Sequence, residues 1–360
     1  MSGGVDSSVA ALLLKQQGYR VIGLFMKNWD ETDESGQCTS AKDYEDVAIT
    51  CAKIGIPCQS INFVKEYQDK VFSEFLRDYR KGLTPNPDIL CNREIKFKVF
   101  FEKAMALGAD YLATGHYCQV SDGKLLKGRD QSKDQSYFLN GIEGKVLDRV
   151  LFPIGDLEKR DVRKIAKEFE LPTHSKKDST GICFIGERHF VSFLSGYIAA
   201  KPGEFKQLDG TTVGRHRGAA YYTPGQRKQL GLGGPGEPWF VVKKDNSANI
   251  VYVERGQRHP ALYCQELSAT EVSWIGQAPD LSQGFRCKAK VRYRQQDQDC
   301  VITAGLRPDT IHVAFDTPQR AIAQRQSIAF YLEDQCLGGA FIETPGPSFY
   351  ELNKQLPDLI

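Results

Sequence analysis

At 360 residues, with 41% hydrophobic and 26% charged side chains, the chain has ordinary globular composition and the length of two or three domains, which excludes disordered and collagen-like classes. Lys+Arg 47 against Asp+Glu 45 leaves +2, so no overall basic excess announces a nucleic-acid partner. The longest apolar run near the start, residues 9–14, is closed by Lys15 and preceded by no charged region. That is too short to span a bilayer and unlike a signal peptide, so a soluble, cytoplasmic protein without a membrane partner is expected.

From Asp6 to about Glu170 helix and strand periods alternate. Residues 7–17 have helical spacing with Gly18 as C-cap, followed by an apolar strand at 21–26. A helix at 39–54 ending at Gly55, a strand at 61–63, helices near 66–81 and 95–107 and a strand at 111–114 follow. Strands alternating with helices predict a doubly wound α/β fold with a parallel sheet. After about Phe193 the texture changes to Gly- and Thr-rich sequence, then short strand patterns at 239–243, 250–253, 288–293, 310–315 and 327–332. These predict a small β-rich central domain and a C-terminal β-barrel, with boundaries at 1–193, 197–259 and 264–350.

Charge is uneven along these parts. Residues 1–50 carry 4 positive and 8 negative side chains, whereas residues 201–260 carry 10 positive and 5 negative. The ten cysteines, at 38, 51, 58, 91, 118, 183, 264, 287, 300 and 336, include no C-x-x-C pair. An iron–sulfur cluster or zinc ribbon therefore has no support, and no protein-held metal is expected. Most should be small buried apolar residues.

Ser2, Gly3, Gly4, Val5, Asp6, Ser7 and Ser8 run directly into the first helix. Glycines let the backbone form a nest of N–H groups, and the helix N-terminus adds partial positive charge. Serine hydroxyls add donors, and an aspartate can hold Mg²⁺ against phosphate oxygens. It is not a Walker A loop, because the G-K-[ST] ending is missing. The string resembles the SGG-x-D-S-S loop of the PP-loop ATP pyrophosphatases, which cleave ATP between the α- and β-phosphates and adenylate a substrate oxygen.

Two cysteines have the settings of reactive thiols. Residues 84–92, Thr-Pro-Asn-Pro-Asp-Ile-Leu-Cys-Asn, form a Pro-punctuated turn into a helix. That would put Cys91 in a first helical turn where the dipole favours thiolate, provided the dipole, Arg93 and Lys96 outweigh the negative Asp88. The alternative is an N-cap aspartate beside a buried cysteine. Cys183 lies in a loop with Lys176, Lys177 and flanking glycines, mobile and electropositive, suited either to a thiolate or to an anion.

With these segments the chain is similar to the tRNA-specific 2-thiouridylases. Residues 23–29, 86–98, 113–117, 133–139, 178–187, 223–228 and 292–295 carry the resemblance, which runs over nearly the whole sequence. It implies ATP at Ser2, Gly3, Gly4, Val5, Asp6 and Ser7, with Met26 and Gly115 near the nucleotide and Mg²⁺ accompanying it. The wobble uridine of a lysine, glutamate or glutamine tRNA would be adenylated at its 2-oxygen. Cys183 would receive sulfur as a persulfide from a donor protein, Cys91 would act as nucleophile toward it, and Asp88 would serve as acid/base. Attack by released hydrosulfide and attack by the persulfide both remain open, and the transient Cys91–Cys183 disulfide must be reduced. Asn86, Pro87 and Asp88, with Lys133, Asp134 and Gln135, would surround the flipped base.

Read from the residues alone, Arg286, Lys288, Lys290, Arg292 and Arg294 are spaced by two. On a strand that stripes one face with five cations, suited to phosphate. Arg215, Arg217, Arg227 and Lys228 extend the idea into the middle domain. By resemblance Arg292, Tyr293, His116 and Gln326 would touch tRNA rather than DNA; otherwise His116 is a satisfied histidine at a strand end.

Two departures stand out. The strand that normally precedes such a loop is absent, which would loosen ATP binding and suggests a fragment or a misassigned start. Gln324-Arg325-Gln326 stands where the family usually has Pro-Gly-Gln. The alternative to a thiolating enzyme is a tRNA-binding protein without catalysis; another PP-loop synthetase would leave the two cysteines without a role.

Overall fold

The computed structural model describes residues 1–30, 39–177 and 190–357. Helix α1 (Val5–Gln16) starts at Gly4, whose extended backbone (φ −99°, ψ 163°) turns the chain into the helix. It ends at Gly18 with φ +89°, a conformation glycine adopts without steric cost. The apolar side of α1 (Val5, Val9, Leu12) is buried with Val47, Cys51 and Ile54 of helix α2 (Thr39–Ile54) and Val162 and Ala166 of the helix Lys159–Glu168.

Strand β1 (Gly23–Lys27) pairs in parallel with β2 (Cys58–Asn62), Gly23 opposite Cys58. A Cβ at Gly23 would stand 2.4 Å from Cys51 Sγ, so the glycine lets α2 lie against the strand. Strand β3 (Leu112–Ala113) pairs in parallel with β6 (Val150–Leu151), and between them in sequence β4 (Cys118–Ser121) and β5 (Lys124–Lys127) form a hairpin. Its turn residues Asp122 and Gly123 have φ of 51° and 70°, the Asp-Gly signature of a tight hairpin. The parallel sheet is thus present as two pairs, and among the described residues no strand joins β1 to β3.

Two long helical runs pack beside these strands. One comprises Val64–Tyr67, Gln68–Phe72 and Ser73–Arg80. The other comprises Pro87–Leu90, Cys91–Phe100 and Phe101–Ala106. In each the middle piece is π-helical, a winding found mostly where function or strain selects it.

The central sheet has strands β7 (Gly203–Lys206), β8 (Thr212–His216), β9 (Trp239–Asp245) and β10 (Ile250–Arg255) in the order β8-β7-β10-β9. Next come β11 (Tyr263–Trp274), β12 (Phe285–Lys290), β13 (Gln298–Ala304), β14 (Thr310–Arg320), β15 (Ser327–Leu332) and β16 (Gln335–Pro345). Their order is β11-β14-β13-β12-β15-β16, and β16 pairs back to β11, closing a six-stranded barrel around Leu267, Ala289, Ile302, Val313, Phe330 and Ile342. Strand β16 also pairs with β5, Gln335 opposite Leu126, so the first domain's hairpin continues the barrel sheet.

The strand expected at 288–293 runs instead over Phe285–Lys290 and stops before Arg292. Beyond it Gln295 folds back, its side chain accepting a 2.9 Å hydrogen bond from Val291 N. Among the described residues no helix is long and apolar enough to cross a membrane, and of the described cysteines only Cys58 is not buried.

Candidate active site

The loop ahead of α1 is pinned by its own serines. Ser7 Oγ and Ser8 Oγ donate to Gly4 O at 3.2 and 2.9 Å, and Ser2 N donates to Ser7 Oγ at 3.2 Å. Gly3 has φ +73°, and a Cβ there would press on Asp43 O at 3.0 Å. Gly115, just past β3, lies against the first turn of α1: a Cβ would come within 2.7 Å of Ser7 N. Met26, in β1, is partly buried against the core that holds Cys91. Asp6 is held by two groups absent from the expected set. Tyr117 Oη donates to Oδ1 at 2.8 Å, and Lys159 Nζ lies 2.7 and 2.8 Å from the two oxygens.

This loop fits a polyphosphate: it opens on helix-start N–H groups, and Lys159 cancels the charge of Asp6. Mg²⁺ fits only as an ion shared between phosphate oxygens and Asp6, since among the described residues no group of three or more His, Cys, Asp or Glu could hold a metal.

The helix carrying Cys91 starts at Asn86, whose side chain caps it by accepting from Asp88 N at 3.2 Å, with Pro87 as first helical residue. The cap is therefore Asn86 rather than Asp88; proline at the first position has no N–H to leave unsatisfied. Asn86 and Asp88 are partly exposed, while Cys91 is 1% exposed. The expected thiolate is not what this environment favours. Burial pushes the thiol up to about 11; Lys96 lowers it and Asp88 raises it further. Cys91 lies past the first turn, so the dipole is weakened there and desolvation wins.

Lys96 links the two halves. It lies five residues beyond Cys91 in the π-helical stretch, about one turn on, and its charge acts on the thiol. The Lys96 charge also acts on His116 and on the Met1 amino group. His116 follows Gly115, is 8% exposed, and pairs Nδ1 with Thr114 Oγ1 at 2.8 Å between Phe97 and Phe152. Burial, then Lys96, hold its pKa well below 6.5, so His116 is neutral, buried and satisfied. Gly115 thus packs on Ser7 of the loop, His116 follows it, and the charge of Lys96 acts on both His116 and Cys91. A cleft of about 320 Å³ between Arg93, Phe97, Lys98 and Glu271 borders the same helix but reaches neither Cys91 nor the loop.

The second expected base-contacting segment is tied to the barrel. Asp134, 4% exposed, accepts from Gly128 N, Ser136 N and Ser136 Oγ and faces Lys290 at 3.7 Å. Gln135 Oε1 accepts from Tyr117 N at 3.0 Å, and Tyr293 Oη donates to Lys133 O at 3.5 Å. Tyr293 also packs against Phe138, ring centres 4.4 Å apart and tilted by 45°. Gln326 Nε2 donates to Thr84 O at 2.6 Å, two residues before Asn86. The barrel therefore holds both segments.

The five-cation stripe does not exist as a bare face. Arg286 pairs with Asp316 at 2.8 Å, Lys288 with Asp299 at 3.4 Å, and buried Lys290 with Asp297 at 3.3 Å. Arg292 Nη2 donates to Pro224 O and Ala321 O at 2.9 and 2.8 Å, clamping the central domain to the barrel. Only Arg294 is an exposed member without such a partner among the described residues. Cys183 and the rest of 178–187 lie outside the described residues.

Sequence comparison decides the family. A family model described as tRNA methyl transferase HUP domain matches residues 1–187, its PRC-barrel counterpart matches 191–255, and an aminomethyltransferase beta-barrel domain matches 264–342. The tRNA-specific 2-thiouridylase MnmA of Protochlamydia amoebophila is 58% identical over 99% of this chain and 96% of that protein. Those of Oceanobacillus iheyensis and Alkaliphilus oremlandii are 56% and 57% identical, over 96% and 95% of this chain and 94% and 95% of those proteins. The chain belongs to the tRNA-specific 2-thiouridylase family. Within that family the α/β domain, the central sheet and the barrel correspond to the three matched models.

Sequence reasoning named Lys96 only as a neighbour of Cys91, and assigned no role to Lys159 or Tyr117. Tyr117 sits in the family-like stretch 113–117, which was a usable signal; Lys159 lies 153 residues from its partner, and nothing local marks it.

Proposed function

We propose that this protein replaces the 2-oxygen of a tRNA wobble uridine with sulfur at the expense of ATP. The observation that carries the reading is the serine- and glycine-built loop, closed by Gly115 against Ser7, in one domain with the buried Cys91, whose neighbour Lys96 acts on both that thiol and His116 beside Gly115. A methyl transfer, which two of the family-model descriptions name, would give neither that loop nor that cysteine a task.

The uracil 2-oxygen attacks the α-phosphorus of ATP and pyrophosphate leaves, the loop N–H groups and Lys159 stabilising the charge that develops. Cys183 carries a persulfide supplied by a donor protein, and Cys91 attacks its inner sulfur, forming the Cys91–Cys183 disulfide and releasing hydrosulfide. Hydrosulfide adds to the activated C2 and AMP departs with the former 2-oxygen; a thiol reductant then restores both cysteines. Asp88 moves the proton at the ring, and Asn86, Pro87, Lys133, Asp134 and Gln135 frame the flipped base, Asp134 by shaping its neighbours. Burial keeps resting Cys91 protonated, so it attacks only when Lys96 stabilises the thiolate and a base takes its proton.

The test is sulfur transfer from a persulfide donor to unmodified glutamate, glutamine or lysine tRNA with ATP and Mg²⁺. Thiouridine from the wild type but not from Cys91→Ser or Cys183→Ser supports the reading. Product from either variant overturns the two-cysteine route, and a tRNA-bound protein that never forms AMP overturns catalysis altogether. Nothing in the comparisons favours that second, non-catalytic alternative.

A further inference from the structure

The turn joining β14 to β15 is where the sequence leaves the family pattern, and its three residues all grip one short stretch of the first domain. Gln324 O accepts from Thr84 N at 3.1 Å, and Gln326 Nε2 donates to Thr84 O at 2.6 Å. Between them Arg325 Nε donates to Asp78 Oδ2 at 2.8 Å, and its Nη1 donates to Glu271 Oε1 at 2.5 Å. The guanidinium lies 4.6 Å from the Phe341 ring centroid. Asp78 is 3% exposed on the helix Ser73–Arg80, and a planar guanidinium suits such a buried carboxylate.

Both ends of the Arg325–Glu271 pair hold backbone conformations that favour glycine: φ is +65° at Arg325 and +51° at Glu271. Such strain persists where the surroundings over-determine it. The glycine usual in the family would adopt that φ freely but would bring no side chain to Asp78. Arginine here keeps the turn and adds an anchor.

The anchored stretch leads directly into the site. Thr84 is separated from the helix cap Asn86 by Pro85, and Pro87 stands just after the cap. The two fixed proline φ angles make 84–87 a stiff link, so the placement of Asp78 and Thr84 is passed on to Asn86, Asp88 and Cys91. We propose that Arg325 is a positioning residue, locking the 78–84 stretch to the barrel so that Asn86, Asp88 and Cys91 are presented to the target base. This rests on the reading of those three residues as the site.

The full-length wild type is compared with Arg325→Gly, Arg325→Lys and Asp78→Asn by two readouts. The first is amide hydrogen exchange of residues 83–90 by mass spectrometry, which needs no activity; the second is the kcat–KM split for tRNA thiolation. Arg325→Gly relieves the backbone strain but leaves the buried Asp78 carboxylate without its 2.8 Å partner, so the melting temperature falls. Exchange at 83–90 rises by about tenfold, more than elsewhere in the protein, and kcat falls by about tenfold, with KM for tRNA little altered. Asp78→Asn does the same, Arg325→Lys recovers part, and Arg325→Gly combined with Asp78→Asn is no worse than the poorer single variant. Unchanged exchange at 83–90, or faster exchange throughout the protein with activity tracking the melting temperature, overturns the proposal. If the wild type makes no thiouridine, the functional reading fails and the exchange arm alone decides this one.

Discussion

Lys159 Nζ stands 2.7 Å from Asp6 Oδ1 and 5.6 Å from the centre of the Tyr117 ring, so a lysine from a later helix is fixed at the mouth of the phosphate loop. It balances the loop's own carboxylate, so that no uncompensated negative charge stands where a polyphosphate would lie. Replacing it with methionine keeps the aliphatic stem but removes the ammonium. ATP-dependent pyrophosphate release is expected to fall about a hundredfold, the scale for losing one donor aimed at developing charge, with a smaller loss for Lys159→Arg. Release unchanged by Lys159→Met would confine the lysine to a structural pairing with Asp6.

Gly115 touches the same loop from the other side. Because an added Cβ would meet backbone atoms of Asp6 and Ser7 at 2.8 and 2.7 Å, neither partner can rotate away. Gly115→Ala is expected to push β3 and α1 apart, costing about 1–3 kcal/mol as overpacking does, and to weaken ATP binding more than tRNA binding. Calorimetric titration of each ligand checks this; equal weakening of both would point to general unfolding.

Cys91 gives a prediction with a definite sign. Burial, the largest cause, raises its pKa from 9 to about 11, against the pull of Lys96. Alkylation of Cys91 in the resting protein should therefore rise about tenfold per pH unit well beyond pH 9. Lys96→Met should slow it further at every pH, since the lost ammonium had favoured thiolate. The unfolded chain ionises this thiol near 9 and the folded one near 11, so its stabilising contribution is complete below pH 9 and disappears as pH climbs toward 11. Mass-spectrometric alkylation rates that level off near pH 8 would contradict this.

These features divide by how far apart in the chain their causes lie. Helix α1, its glycine stop and the loop ahead of it depend on neighbours, so composition and spacing revealed them. The cap on the Cys91 helix was legible in kind but not in place, since Pro87 shifts it from Asp88 to Asn86. The resting state of Cys91 was not legible, because its burial is contributed by a core drawn from all three parts of the chain. Barrel closure was only half visible: the strand patterns read from the sequence did not include β11 or β16, yet their pairing shuts the barrel. The Arg325 turn was visible as an oddity, while its partner Asp78 stands 247 residues away.

The cations at 286–294 show the same limit, and they yield a test of where tRNA lies. Their spacing is as the sequence shows, but Asp316, Asp299 and Asp297 arrive from other strands and loops to neutralise Arg286, Lys288 and Lys290. A cation already paired within the protein releases little counterion when a phosphate approaches. Arg215, Arg217, Arg227 and Lys228 are instead exposed on and beside the central sheet, in the part of the chain richest in excess positive charge. Replacing Arg215 and Arg217 with glutamine should lower the slope of log K for tRNA against log salt by about 0.7–0.9 for each phosphate no longer neutralised, measured by anisotropy from about 50 to 200 mM salt. Arg286→Gln and Lys288→Gln should leave that slope nearly unchanged. If instead the β12 variants flatten it and the central ones do not, tRNA breaks the Asp316 and Asp299 pairs on binding, and the barrel strand rather than the central sheet carries the backbone contacts.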